Sequence, residues 1–187
     1  ALSRPVAYML SDYGRRFHSR ADVITSPTKS GLKSFGKHVD KVTAPIKIIS
    51  NGVNLSEYTP AKPDPAIYEK YGLPTDKPIV TYIGRVDAEK HLSVLVDAFR
   101  TVLEQVDAHL LIVGAGIDLE LLVDLADEYG IADRVTFTGR VSDEDKLLLE
   151  HVGALYAIPS PAELQSIATL EAMACGLPVI AFDYGSA

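Results

Sequence analysis

Apolar positions along the 187-residue chain change their period several times, and each change marks an element. From residue 78 onward, short continuous apolar runs alternate with longer stretches of helical period. The runs at 79–83, 109–113, 135–138, 154–158 and 178–182 predict strands, most of them closed by Gly or Pro. Helical spacing between them predicts helices over 91–105, 118–129 and 142–151. In the first of these, Leu92, Leu95, Val96, Phe99, Val102 and Leu103 fall on one side. A last helix starts at Ser166, whose hydroxyl suits an N-cap; Ile167, Leu170 and Ala174 recur along it, and Gly176 with Pro178 ends it. Five strands alternating with helices predict an α/β fold, a Rossmann-like, doubly wound parallel sheet. Ahead of residue 78 the pattern is less regular. Val6, Leu10, Tyr13 and Phe17 share one side of an amphipathic helix over 5–18, with Arg15, Arg16, His18 and Arg20 at its basic end. Strands follow at 21–26 and 46–49, with a short helix over 27–36 between them. Asn51-Gly52 is a turn, but no alternating strand comes directly after it to complete a hairpin. Three prolines within 59–65 read as a linker, and 67–72 as one or two helical turns.

Composition narrows the picture. The formal charge of -7 argues against broad binding to nucleic acid, which needs a positive field. The single cysteine, Cys175, excludes an intrachain disulfide and reads as a buried, inert thiol. No run of ~18 apolar residues is present to span a membrane as a helix. The chain opens on Ala1 and stops just after a strand, so both ends are expected to be cut from something longer. The five histidines lack ligand spacing, and no metal site is expected. Asp143-Glu144-Asp145 lies at a helix start, where the dipole favours acids, and is read as capping. Gly114-Ala115-Gly116 lacks the third glycine of a dinucleotide fingerprint, so no nicotinamide cofactor is expected.

Candidate chemistry gathers in 160–181. Glu163 and Glu171 stand eight residues apart, with a helix start between them. Free amides at a helix start attract anions, and flanking carboxylates accept from sugar hydroxyls. Open parallel sheets bind ligands beyond the carboxyl ends of their strands, where strand order reverses. The common order sets the first and fourth of the five strands side by side, which brings Gly84-Arg85 next to the loop leading to Glu163. Lys90 is a second cation within reach, and an arginine fork with a lysine point charge suits a diphosphate. The residues also admit plainer readings: Asp87 and Glu89 pair with Arg85 and Lys90, and Glu171 is an exposed helix carboxylate. A non-catalytic nucleotide-binding or protein-interaction module, and a non-nucleotide enzyme of flavodoxin-like shape, stay open on these grounds.

Residues 48–187 resemble the nucleotide-sugar-binding half of retaining glycosyltransferases of family four, which have the GT-B fold. The matching segments are 48–54 (IISNGVN), 82–90 from Tyr82-Ile83-Gly84-Arg85 to Glu89-Lys90, 111–116 (LIVGAG), 135–139 (VTFTG) and 159–179 with its E-x7-E pair. The resemblance implies roles. Arg85 and Lys90 hold the donor diphosphate and stabilise the leaving charge in place of a metal ion, so no cofactor is expected. Glu163 contacts the transferred sugar, Glu171 the ribose, and the backbone near Gln165, Ser166 and Ile167 the sugar or phosphate. Gly84 is a substrate-binding position, and Gly139, Arg140 and Val141 line the base. The sugar keeps its anomeric configuration, by front-face displacement rather than through a carboxylate nucleophile. Leu164-Gln165-Ser166 stands where Phe-Gly is frequent, and His91 where glycine is frequent. The form Glu-Leu-Gln-Ser-Ile-Ala-Thr-Leu-Glu is similar to that of a subset acting on lipid acceptors. On this pattern 1–46 is the end of an amino-terminal acceptor domain, 47–77 an interdomain linker, and 78–187 the donor domain, shortened at its carboxyl end. The implied partners are a UDP- or GDP-hexose and, through the remainder of the acceptor domain, a lipid or saccharide. A cytoplasmic place with peripheral membrane contact goes with that subset, and these 187 residues alone are expected not to transfer sugar.

Overall fold

A computed structural model describes residues 12–14, 16–35, 42–161 and 163–183. Most of the predicted helix over 5–18 falls outside them, as do Arg15, Gly36 and the last four residues; 12–14 and 16–18 are helical. The chain forms two compact units. One is Ala1–Gly52 with Glu163–Gln165 and Tyr184–Ala187; the other is Val53–Ala162 with Ser166–Asp183.

In the first unit, β1 (Ile24–Ser26) and β2 (Ile46–Ile48) pair in parallel, Ile24 opposite Ile46. The predicted strands were longer because apolar composition continues past the paired residues. The short helix is a 3-10 helix over Ser30–Phe35. Thr28 holds its start, accepting from Gly31 N at 2.9 Å, and donates to Leu164 O at 3.1 Å. Asn51 makes no hairpin. Its backbone N donates to Gln165 Oε1 at 2.7 Å and its Nδ2 to Gln165 O at 3.1 Å.

In the second unit, α1 (Pro65–Tyr71) has Asp64 as N-cap, Pro65 in its first turn and Gly72 in the left-handed region at its end. Five parallel strands follow: β3 (Ile79–Ile83), β4 (His109–Val113), β5 (Val135–Gly139), β6 (Leu155–Ile158) and β7 (Val179–Ala181). Their spatial order is β5-β4-β3-β6-β7. Helices α2 (Leu92–Leu103), α3 (Leu119–Glu128), α4 (Asp143–Glu150) and α5 (Ile167–Ala174) connect them. β4 is buried at every position, as an interior strand of an α/β layer covered on both faces is. Leu92, Val96 and Phe99 bury the stripe of α2 that the sequence pattern marked, whereas Val102 at the edge of that stripe is exposed; Leu122 and Ala126 are buried on α3.

The reversal of order falls at β3, which pairs with β4 on one side and β6 on the other. The first and fourth strands of the five are therefore neighbours, as expected, and their carboxyl ends form the switch point. The acids at the α4 start behave as capping predicts: Ser142 Oγ accepts from Asp145 N at 3.1 Å. Asp145 also accepts from Lys70 Nζ at 2.7 Å and Tyr71 OH at 2.8 Å, which fastens α1 to α4. Those bonds hold the Asp145 carboxyl below the usual carboxylate range. Among the described residues no helix is long and apolar enough to cross a membrane.

Candidate functional site

The exit of β3 is built from below. Tyr82 and Tyr156, buried and stacked with ring centroids 6.4 Å apart, both aim their hydroxyls upward at backbone carbonyls. Tyr156 OH donates to Ile83 O at 3.0 Å and Tyr82 OH to Arg85 O at 2.7 Å. Gly84 and Arg85 thus leave the sheet along a path held by two rigid rings. Tyr82 entered the sequence reading only as the start of a matching segment and Tyr156 only as part of a strand, and neither was given this supporting role.

Beside this exit, the loop after β4 lies in direct backbone contact. Gly84 N donates to Val113 O at 3.0 Å, Val86 N to Ala115 O at 3.0 Å, and Gly114 N to Gly139 O at 3.0 Å. A Cβ on Gly114 would sit 1.8 Å from Gly84 O, and one on Gly116 2.0 Å from Val86 O. Gly114-Ala115-Gly116 is therefore a close-packed backbone seam. Gly84, Gly114 and Gly139 form a row across the ends of β3, β4 and β5. Arg140 beyond it is exposed and Val141 half-buried.

Arg85 is exposed and forms ion pairs with Asp87, at 2.6 Å, and with Glu89. The plainer reading of these charges is thus realised for Arg85. Lys90 ends a 3-10 turn (Ala88–Lys90); its side chain is 14% exposed, with Glu89 3.9 Å away. The β6 exit touches this turn, for Ser160 Oγ donates to Glu89 O at 3.4 Å. Gly84, Arg85, Lys90 and Ser160 are therefore gathered at one switch point.

Glu171 is not the exposed helix carboxylate of the plainer reading. It is 7% exposed, and Lys146 Nζ donates to its Oε2 at 2.6 Å, joining α4 to α5. The Lys146 ammonium also lies 5.5 Å from the Tyr58 ring centroid. Burial works against the charge on Lys146, but the bond and charge of Glu171 outweigh it and raise its pKa. One turn along α4, Glu150 is fully buried, and neither carboxyl oxygen has a hydrogen-bond partner among the described residues. Burial, with Glu171 adding and Lys146 opposing, pushes its carboxyl up to about 8. Cys175 is buried, as expected, and burial, Glu150 and Glu171 push its thiol up to about 11. Lys146 and Glu150 do not stand out in the sequence, because a Lys-Glu pair at i, i+4 has the look of a solvated helix surface.

A family model described as glycosyl transferases group 1 matches residues 64–187, well over half of the chain. The chain belongs to that family. One relative, the D-inositol 3-phosphate glycosyltransferase of Mycolicibacterium smegmatis, is 37% identical over 145 residues, 75% of this chain and 32% of that protein. Another, the GDP-mannose-dependent alpha-(1-6)-phosphatidylinositol monomannoside mannosyltransferase of Mycobacterium tuberculosis, is 34% identical over 189 residues, 92% of this chain and 47% of that protein. The chain spans about a third to a half of the length of these relatives. Among solved structures, Anabaena Alr3699/HepE in complex with UDP and glucose has a TM-score of 0.77 at 22% identity, covering 99% of this chain and 50% of that one. Sucrose-phosphate synthase from Thermosynechococcus elongatus has a TM-score of 0.73 at 28% identity, covering 97% of this chain and 46% of that one. The fold is that of one half of a GT-B glycosyltransferase.

The other anticipated site residues can be located in turn. Ser166 is the N-cap of α5, its Oγ accepting from Thr169 N at 3.2 Å, so part of the open helix start is already filled. Ile167 is the first helical residue and is half exposed. Gln165 belongs to the first unit, where its side chain is engaged by Asn51. Glu163 belongs to that unit as well and is partly buried.

The departure at His91 acquires a reason. His91 has φ 51° and is the described non-glycine residue in the left-handed region. Such a backbone costs a side chain-bearing residue about 1 kcal/mol, which accounts for glycine at this place in the family pattern. His91→Gly is expected to stabilise the chain by about 0.5–1 kcal/mol, after the added flexibility of the unfolded chain. A melting scan should show Tm rising by about 2 °C; a lower Tm would contradict the strain.

Proposed function

We propose that the chain is the donor-binding half of a retaining hexosyltransferase, holding a nucleoside-diphosphate hexose along the carboxyl edge of its five-stranded sheet. The observation that carries this reading is the glycine row Gly84–Gly114–Gly139, with Arg85 and Lys90 at its β3 end beside Ser160. The row gives a ligand's planar and ribose parts a side-chain-free surface. The two cations supply charge where a diphosphate leaves. In this reading Arg85 exchanges its exposed bonds to Asp87 and Glu89 for phosphate oxygens. That exchange is inexpensive, because exposed ion pairs contribute ~0–1 kcal/mol. Gly139, Arg140 and Val141 meet the base and Glu171 accepts from the ribose. Backbone at Gln165, Ser166 and Ile167 meets sugar or phosphate. Glu163 serves the transferred sugar, on the strength of its place in the E-x7-E pair.

The protein's own cations take the place of a metal, and the sugar is transferred with retention. The donor is a UDP- or GDP-hexose: a named relative uses GDP-mannose, and a solved neighbour holds UDP and glucose. The acceptor is a lipid or saccharide, in keeping with relatives named for inositol phosphate and for a phosphatidylinositol mannoside. Residues 78–187 form the donor domain, 47–77 its linker and 1–46 the end of an acceptor domain, in a protein working at the cytoplasmic membrane face.

Calorimetry with UDP, GDP and their hexose conjugates tests this. Arg85→Ala or Lys90→Ala should each weaken nucleoside-diphosphate binding by about 1.5–3 kcal/mol, roughly 10- to 150-fold. Arg85→Ala, which removes only exposed ion pairs, should move folding stability by less than about 1 kcal/mol. Equal affinity in wild type and variants would overturn the assignment.

A further inference from the structure

The pairing of Lys146 with Glu171 bears on how the donor's ribose is read. Glu171 stands on a short helix, α5, and a glutamate there has several side-chain rotamers open to it. Only some of them would direct the carboxylate at a diol. Lys146 removes that freedom by binding Oε2 at 2.6 Å, and both side chains are largely buried, 26% and 9% exposed. Lys146 is itself constrained. Its ammonium lies near the Tyr58 ring and 3.4 Å from Tyr58 OH. Beneath it on the same face of α4 is Glu150, fully buried and with neither oxygen hydrogen-bonded among the described residues. An acid without partners at that depth is tolerated with its proton on. Glu150 therefore does not compete with Glu171 for the ammonium, and Lys146 is committed to Glu171.

We propose that Lys146 is a positioning residue of the donor site, locking the Glu171 carboxylate in the orientation that accepts hydrogen bonds from a nucleotide ribose. The inference rests on the reading of Glu171 as the ribose acceptor. Lys146 touches no part of the ligand; it acts through Glu171. A charge-assisted bond that loses its orientation costs about ten-fold in affinity. The cost should fall only on ligands that carry the ribose hydroxyls, which separates positioning from a general loosening of the fold.

The test titrates the 187-residue chain with UDP and GDP and with their 2′,3′-dideoxy forms, for wild type, Lys146→Met and Lys146→Arg. Wild type is expected to prefer the ribose form of its nucleotide by about ten-fold or more. Lys146→Met should erase that preference and leave dideoxy affinity within about two-fold, and Lys146→Arg should restore most of it. If Lys146→Met does not fold, Lys146→Gln carries the test, since a neutral donor should retain part of the preference. A full preference in Lys146→Met, or in Lys146→Gln where that variant is needed, overturns the inference and leaves the donor reading intact. Wild type that binds nucleotide with no ribose preference overturns the Glu171 assignment and this inference together. Wild type that binds neither UDP nor GDP overturns the donor reading itself.

Discussion

Glutamine in place of Glu150 is expected to gain about 4 kcal/mol of stability on the wild type between pH 5 and pH 8. The sign follows from where the proton is held. In the unfolded chain the Glu150 carboxyl titrates at its ordinary value of 4.5, whereas in the folded protein burial keeps its proton to about 8. Between those values the native state binds one proton more than the unfolded state. Wild-type stability from this group is fully present below the unfolded pKa. It falls by about 1.4 kcal/mol per pH unit as pH rises, and is spent once pH passes the folded value. Glutamine has the same shape and no proton to lose, so its contribution is flat. Urea unfolding of both proteins at pH 5, 6, 7, 8 and 9 measures the divergence. Parallel curves would mean that Glu150 is solvated or paired in the folded state.

Alanine at Gly114 is expected to cost about 3 kcal/mol or more, the second large effect. Two causes add. The φ of 137° lies in a region that a side chain strongly disfavours, and the new Cβ would fall 1.8 Å from Gly84 O. That neighbour is backbone, held in turn by Gly84 N to Val113 O, so relief requires the β3 exit to move. Gly130→Ala provides the comparison. Gly130 has φ 66° with nothing within 4 Å of the added carbon, so it should lose only about 1 kcal/mol of backbone strain. The difference between the two urea midpoints isolates the contact with Gly84. Gly114→Ala should also weaken nucleoside-diphosphate binding, because Arg85 directly follows the displaced residue. Equal losses at both glycines would show that the seam can yield.

Particular residues show why some of this architecture was legible and some was not. β3 and β4 were read to the residue, because a short, mostly apolar run between Pro78 and Gly84, or one ending just before Gly114, is a local signal. Ser142 and Ser166 were legible as helix starts for the same reason, since a cap hydrogen bond reaches only three residues. The 3-10 turn at Ala88–Lys90 was not, because three residues carry no periodicity. Asn51 has the composition of a tight hairpin, yet its partners lie at Gln165, 114 residues away. Lys146 and Glu171 are 25 residues apart on different helices, and each by itself looks like a surface charge.

The sequence by itself determined the alternation of strands and helices, the buried faces, the caps and the family-like motifs. All of these depend on interactions within about a dozen residues, where spacing alone decides which side chains share a side. Tertiary structure decided how charge is distributed among those elements. It gave Arg85 to Asp87 and Glu89, joined Lys146 to Glu171, and sealed Glu150 away from any partner among the described residues. The energy of a charged group depends on its depth and on its neighbours from other elements, and both are settled only when the sheet brings those elements together.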